Sequence, residues 1–259
     1  MAVSADGGDA IPIDLPGAPT TYAGQVAWSS DGSRLAFIAG PARHVHAQAG
    51  DGDLFVMRAD GTHLRQLTSD GSLSSPSWSP DGRHLVAVRN QGTELVVLDP
   101  SGDHLHVISS RRGYYQWPAW SPDGRWIAVQ SAPAGLDWES LYLVRSDGID
   151  LHQVPGSSLS EGMPAWSPDG ARLAYRAGER LWVMNADGAD RMQLTRCHLP
   201  CVADLEPAWS PDGTRIAFIR QEANGGTFHL YVIDLRTRQL AALAPNEPFA
   251  STPSWRPSA

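Results

Sequence analysis

The chain has 259 residues, 42% apolar and 19% charged, with 25 Gly and 20 Pro: long enough to bury a sizeable core, too apolar for disorder and too punctuated for long helices. Its 20 basic residues are all arginine and face 28 acids, for a formal net charge of -8, which excludes lysine chemistry and leaves no basic field for nucleic acid or an anionic membrane. No stretch approaches the roughly 20 apolar residues of a membrane helix, and Met1 to Asp9 lacks the charged and apolar regions of a signal peptide.

In chain order, Val3 to Asp9 matches Val144 to Asp150 and predicts the end of a third strand with its turn, followed by a fourth strand over Ala10 to Leu15. A repeat then takes over. The pattern Pro-x-Trp-Ser-Pro-Asp-Gly, with small departures, places its tryptophan at Trp28, Trp78, Trp120, Trp166, Trp209 and Trp255, at intervals of 50, 42, 46, 43 and 46 residues. In each unit a short strand ends at the Trp and the Ser-Pro-Asp-Gly segment turns the chain, Pro presetting φ and Gly accepting a positive one. The predicted second strands are Leu35 to Ile38, Leu85 to Val88, Ile127 to Val129, Leu173 to Tyr175 and Ile216 to Ile219. The third are Leu54 to Met57, Leu95 to Leu98, Leu141 to Val144, Leu181 to Met184 and Leu230 to Ile233. Asp-Gly turns such as Asp60-Gly61, Asp147-Gly148 and Asp187-Gly188 then lead into short, polar fourth strands. Four up-and-down strands in about 40 to 45 residues make a propeller blade.

These repeats resemble the TolB-like, WD-like β-propeller family over nearly the whole chain. The resemblance implies an all-β fold in one domain, residues 1–259, with five complete four-stranded blades near 24–68, 74–109, 116–155, 162–195 and 205–243. An incomplete sixth blade is expected from the two chain termini, 251–257 plus 1–15, because an open ring would expose an apolar face and a sheet edge; a five-bladed ring with a docked extra strand is the runner-up. It also implies a bacterial protein, periplasmic or extracellular, working as a monomer.

Turns of the Ser-Pro-Asp-Gly and Asp-Gly type should share one face of the disc and the irregular loops the other, where binding residues concentrate. The residue three before each motif Trp, at Gln25, Ser75, Trp117, Met163, Glu206 and Thr252, shares no character between blades and should lie near the channel mouth. With Arg111, Arg112, Tyr114, Tyr115 and Trp138 from the loops, these form the candidate binding surface, since aromatic and Arg side chains dominate protein-binding hot spots. Tyr114 and Tyr115 could equally cover a blade edge. His44, His46 and His198 are weak metal candidates, because zinc needs three or four converging ligands. Cys197 and Cys201 could be a disulfide, a metal half-site or two thiols; export would favour the disulfide. The sequence holds no Gly-x-Ser-x-Gly elbow, His-Glu-x-x-His, dinucleotide fingerprint or phosphate loop. The expectation is a non-enzymatic scaffold binding a protein or peptide segment, without cofactor. A metal-dependent propeller lyase or hydrolase, and a sensor or substrate-gating domain of a larger protein, stay open.

Overall fold

The computed structural model describes residues 22–40, 52–110, 113–133, 139–198, 200–223, 226–243 and 252–257. They form five antiparallel sheets of four strands, each a meander in chain order. The first holds β1 (Tyr22–Trp28), β2 (Arg34–Gly40), β3 (Asp53–Arg58) and β4 (Arg65–Gln66). The second is β5 (Leu73–Trp78), β6 (Leu85–Arg89), β7 (Glu94–Leu98) and β8 (Leu105–Ser110). The third is β9 (Gly113–Trp120), β10 (Trp126–Pro133), β11 (Ser140–Arg145) and β12 (His152–Gln153). The fourth contains β13 (Glu161–Trp166), β14 (Arg172–Ala177), β15 (Arg180–Asn185) and β16 (Met192–Gln193), and the fifth β17 (Cys201–Trp209), β18 (Arg215–Glu222), β19 (Phe228–Asp234) and β20 (Leu240–Leu243).

Second and third strands read as continuous apolar runs because each blade is covered on both faces. Alternate residues then serve opposite neighbours. Val86, Val88, Leu95 and Val97 of blade two pack with Tyr115, Ile127, Val129 and Val144 of blade three. Their sequence neighbours Leu85, Ala87, Val96 and Leu98 pack with Ala36, Ile38, Leu54 and Val56 of blade one.

The motif tryptophans tie blade to blade. The indole N–H of Trp78, Trp166, Trp209 and Trp255 donates to the carbonyl oxygen of Ala27, Ala119, Ala165 and Ala208 in the preceding blade, at 3.0 to 3.1 Å. Each turn is fixed by its own Ser and Asp: in the second, the Ser79 hydroxyl donates to Asp81 at 2.6 Å and accepts from the His84 amide at 2.9 Å. Asp-Gly glycines serve a second contact. Gly102, Gly148 and Gly188 have φ of 77°, 82° and 90°, and a Cβ on any of them would press on the backbone of the blade before: Leu67, Ile108 and Pro155.

Residues 252–257 differ from the predicted sixth first strand: they pair with none of the described strands. They nonetheless bridge blades five and one. Trp255 donates to Ala208 at 3.0 Å, the Arg256 guanidinium lies 5.2 Å over the Trp28 ring, and Arg256 Nε donates to the Gly32 carbonyl at 3.3 Å. The amino-terminal half of the predicted sixth blade, 1–15, lies outside the described residues.

Candidate functional site: the central channel

Every first strand carries a bulge at one place. In the first, Gln25 and Val26 together oppose Phe37, and the same slip recurs at Ser75-Pro76, Trp117-Pro118, Met163-Pro164 and Glu206-Pro207. The leading residue of each pair is left-handed, with φ of 51°, 52°, 53°, 55° and 55° for Gln25, Ser75, Trp117, Met163 and Glu206. A left-handed non-glycine residue costs on the order of 1 kcal/mol, and a bulge re-aims the side chain at that point of the strand. Here all five, with Thr252, line a single cavity of about 100 Å³. The predicted non-repeating ring is therefore one constellation on a repeated backbone.

A bulge also takes a backbone N–H out of the ladder, and that donor needs another acceptor. Side chains of the preceding blade supply it. The Gln25 Oε1 accepts from the Ser75 amide at 2.7 Å, and Gln130 Oε1 accepts from that of Met163 at 3.1 Å. The Met163 sulfur receives the Glu206 amide at 3.4 Å. Gln130, 2% exposed, also donates through Nε2 to Gln116 at 3.1 Å and to Glu139. Gln130 is a positioning residue the sequence reading missed, although a glutamine closing the apolar run Ile127 to Val129 was its signal.

Glu206 is the acidic member of the ring. It lines the cavity, and burial pushes its pKa up to about 7 against the partial offset of a hydrogen bond from Thr252. Between its ordinary value and about 7 the folded protein binds the extra proton, so this group makes stability fall as pH rises through that window. The full shift corresponds to roughly 3 kcal/mol. Glu206→Gln, which keeps the shape and removes the charge, should gain stability over the parent by up to that amount on going from pH 5 to pH 8. Urea unfolding at the two pH values checks it; an equal difference at both would contradict it.

The remaining predicted residues divide. Tyr114 is partly buried, lies over Gly92 and accepts from Gln116. Tyr115 corrects the expectation of an exposed anchor: it is 0% exposed, packs in the interface of blades two and three, and its hydroxyl meets that of Ser109 at 2.8 Å. It is a core residue, with no surface for a partner. Arg111, Arg112, Trp138, His44 and His46 lie outside the described residues. His198 is exposed, and no group of three or more metal-ligating side chains converges among the described residues. Cys197 and Cys201 are joined as a disulfide, both residues being buried where blade four leads into β17. No helix of the described residues is long and apolar enough to cross a membrane.

A family model described as the lipoprotein LpqB beta-propeller domain matches residues 2–111. No curated protein matches the sequence. Among solved structures, TolB from Acinetobacter baumannii superposes with a TM-score of 0.71 at 20% identity, covering 88% of this chain and 57% of that one. A TolB candidate from Agrobacterium tumefaciens gives 0.69 at 17% identity, covering 85% and 80%. An oligogalacturonate lyase in complex with manganese gives 0.59 at 16% identity, covering 83% and 63%. Identities this low carry the fold and not the activity. With the repeated Trp-Ser-Pro-Asp-Gly turns and the meander blades, they show a β-propeller fold similar to that of TolB.

Proposed function

We propose that the protein is a non-enzymatic binding scaffold that takes a segment of a protein or peptide at its loop face and channel. The observation that carries this reading is the ring itself: one strained backbone position, repeated in five blades, presents Gln25, Ser75, Trp117, Met163 and Glu206 to a single cavity that Thr252 also lines. A feature needed only for the scaffold would repeat in side chain as well as in backbone. The side chains instead supply a large aromatic, a soft thioether, hydroxyls and one carboxyl, a mixture suited to a short stretch of polypeptide with an apolar side chain and a donor. The cavity is small, so a partner would enter by one or two side chains and spread over the loops. Arg111, Arg112 and Trp138 belong to that outer surface in this proposal. On the same reading the ring is a monomer closed by a deficient sixth blade, 251–257 with 1–15. The repeated bonds of Trp255 and Arg256 support that closure.

A displayed library of random peptides provides the test. Selection on the purified protein should enrich peptides whose affinity falls about thirtyfold on Trp117→Ala, the loss typical of a buried aromatic anchor, and is unchanged by Asp187→Ala in an exposed turn. Enriched peptides indifferent to Trp117→Ala would sink the reading, as would failure to enrich any.

A further inference from the structure

The turn face is not uniform. Six residues after the motif Trp, blades one, four and five carry Arg34, Arg172 and Arg215, and each guanidinium lies over the tryptophan of the next blade: 4.5 Å from the Trp78 ring centre, 4.8 Å from Trp209 and 5.4 Å from Trp255. Arg256 does the same for Trp28 from the closing segment, at 5.2 Å. Arg34 also donates to the carbonyl of Gly82 in the following turn at 2.6 Å. In blade two the position is His84, and no described arginine lies over Trp120.

Trp166 likewise has no described arginine over it, blade three carrying Trp126 at that position, but the interface of blades two and three differs in one more respect. Where Trp78, Trp166, Trp209 and Trp255 reach back to the preceding blade, the Trp120 indole N–H donates within its own turn, to the Gly124 carbonyl at 3.1 Å. That carbonyl is the counterpart of the one Arg34 occupies at Gly82. Beside it opens a cleft of about 410 Å³ lined by Trp120, His84, His106, Val97, Asp81 and Asp123. Each carboxylate is anchored through Oδ1, Asp81 by Ser79 and the Arg83 amide, Asp123 by Ser121 and the Arg125 amide. Their Oδ2 atoms accept no hydrogen bond from the described residues. Hydrogen bonds from the turn hold both pKa values below the usual carboxylate range, so both stay charged. The other ionisable groups near the cleft are Arg83 and Arg125 on the turns, and His104 and Asp99, whose carboxylate lies 2.9 Å from the His104 ring and 3.8 Å from that of His84.

We infer that this cleft binds the guanidinium of an arginine side chain presented by another polypeptide, which takes over Trp120 the place that a resident arginine takes at four other motif tryptophans. An indole face attracts a guanidinium more strongly than any other ring. Two free carboxylate oxygens supply its planar donors with charge-assisted acceptors. A cleft of this volume also has room for the aliphatic stem, with Val97 behind it. The site lies on the face opposite the irregular loops and does not rest on the channel reading.

The probe is N-acetyl-L-arginine methylamide, with the citrulline analogue as its neutral isostere and methyl glucoside as a ring-stacking ligand without charge. Binding is followed at the Trp120 indole N–H resonance, assigned through Trp120→Phe. The arginine probe should shift that resonance saturably in the millimolar range, as a single desolvated cation site allows, while the citrulline probe and the glucoside leave it in place. Asp81→Asn combined with Asp123→Asn should weaken the probe about tenfold. His84→Arg should restore the repeated stack, raise the melting temperature and abolish the response; arginine already stands at this position in three blades, so the variant is expected to fold. Equal shifts by the arginine and citrulline probes, a response to the glucoside alone, or an undiminished response in His84→Arg would each overturn the assignment.

Discussion

Replacing Asp204 by alanine should destabilise the protein by about 4 kcal/mol, lowering the melting temperature by roughly 10 °C. Asp204 is 0% exposed, and both its oxygens are bonded by Arg220, at 2.7 Å to Nε and 2.9 Å to Nη2. The guanidinium is itself largely buried, 4.9 Å over the Tyr231 ring and 5.7 Å over Phe218. Alanine would leave that cation in a largely apolar wall with only the weaker pull of the Glu222 carboxylate to offset it. The penalty comes from the orphaned charge and not from the worth of the pair, so Asp204→Leu with Arg220→Met should recover most of the loss. Urea unfolding of the three proteins decides it. A single variant within about 1 kcal/mol of the parent would mean that Arg220 escapes to water and that blade five is looser than its packing implies.

Gly148→Ala should cost about 3 kcal/mol. Its φ of 82° is a conformation that L side chains rarely adopt, which accounts for about 1 kcal/mol. The added methyl would press on the Ile108 carbonyl of the preceding blade, where backbone has to move, and overpacking of that kind adds about 1 to 3 kcal/mol. Gly71→Ala is the control. Its φ of 64° carries the conformational cost, but a Cβ there meets nothing within 4 Å, so it should lose about 1 kcal/mol. If the two variants melt together in thermal unfolding, the close approach between blades contributes nothing.

The blade plan was legible because the Trp-Ser-Pro-Asp-Gly turn is local. Serine, aspartate and glycine close it within five residues, and repetition five times over supplied the long-range information that one copy lacks. The ring around the channel was legible for the opposite reason: one position failed to repeat beside others that did. Tyr115 was misread because a strand covered on both faces gives no alternation to sort inside from outside. The bulge two residues further on then shifts the parity of the rest of the strand. Asp204 and Arg220 stand sixteen residues apart on paired strands, and only the bulged register brings them face to face. The cleft at Trp120 was written as His84 among arginines, but that signal acquires meaning only once the arginines are seen to stack on the next blade. The turns share one face, but no described arginine lies over Trp120 or Trp166, so that face differs between blades.

On the proposed function, the channel ring and not an outer edge receives the partner. Methionine offers a direct measurement, because Met163 lines the channel while Met192 sits 46% exposed on the outer strand β16, and Met57 and Met184 are buried in the core. Protein carrying the photoreactive diazirine analogue of methionine, irradiated with a library-selected peptide, should yield its adduct at Met163. An adduct confined to Met192 would place the partner on the rim and contradict the account.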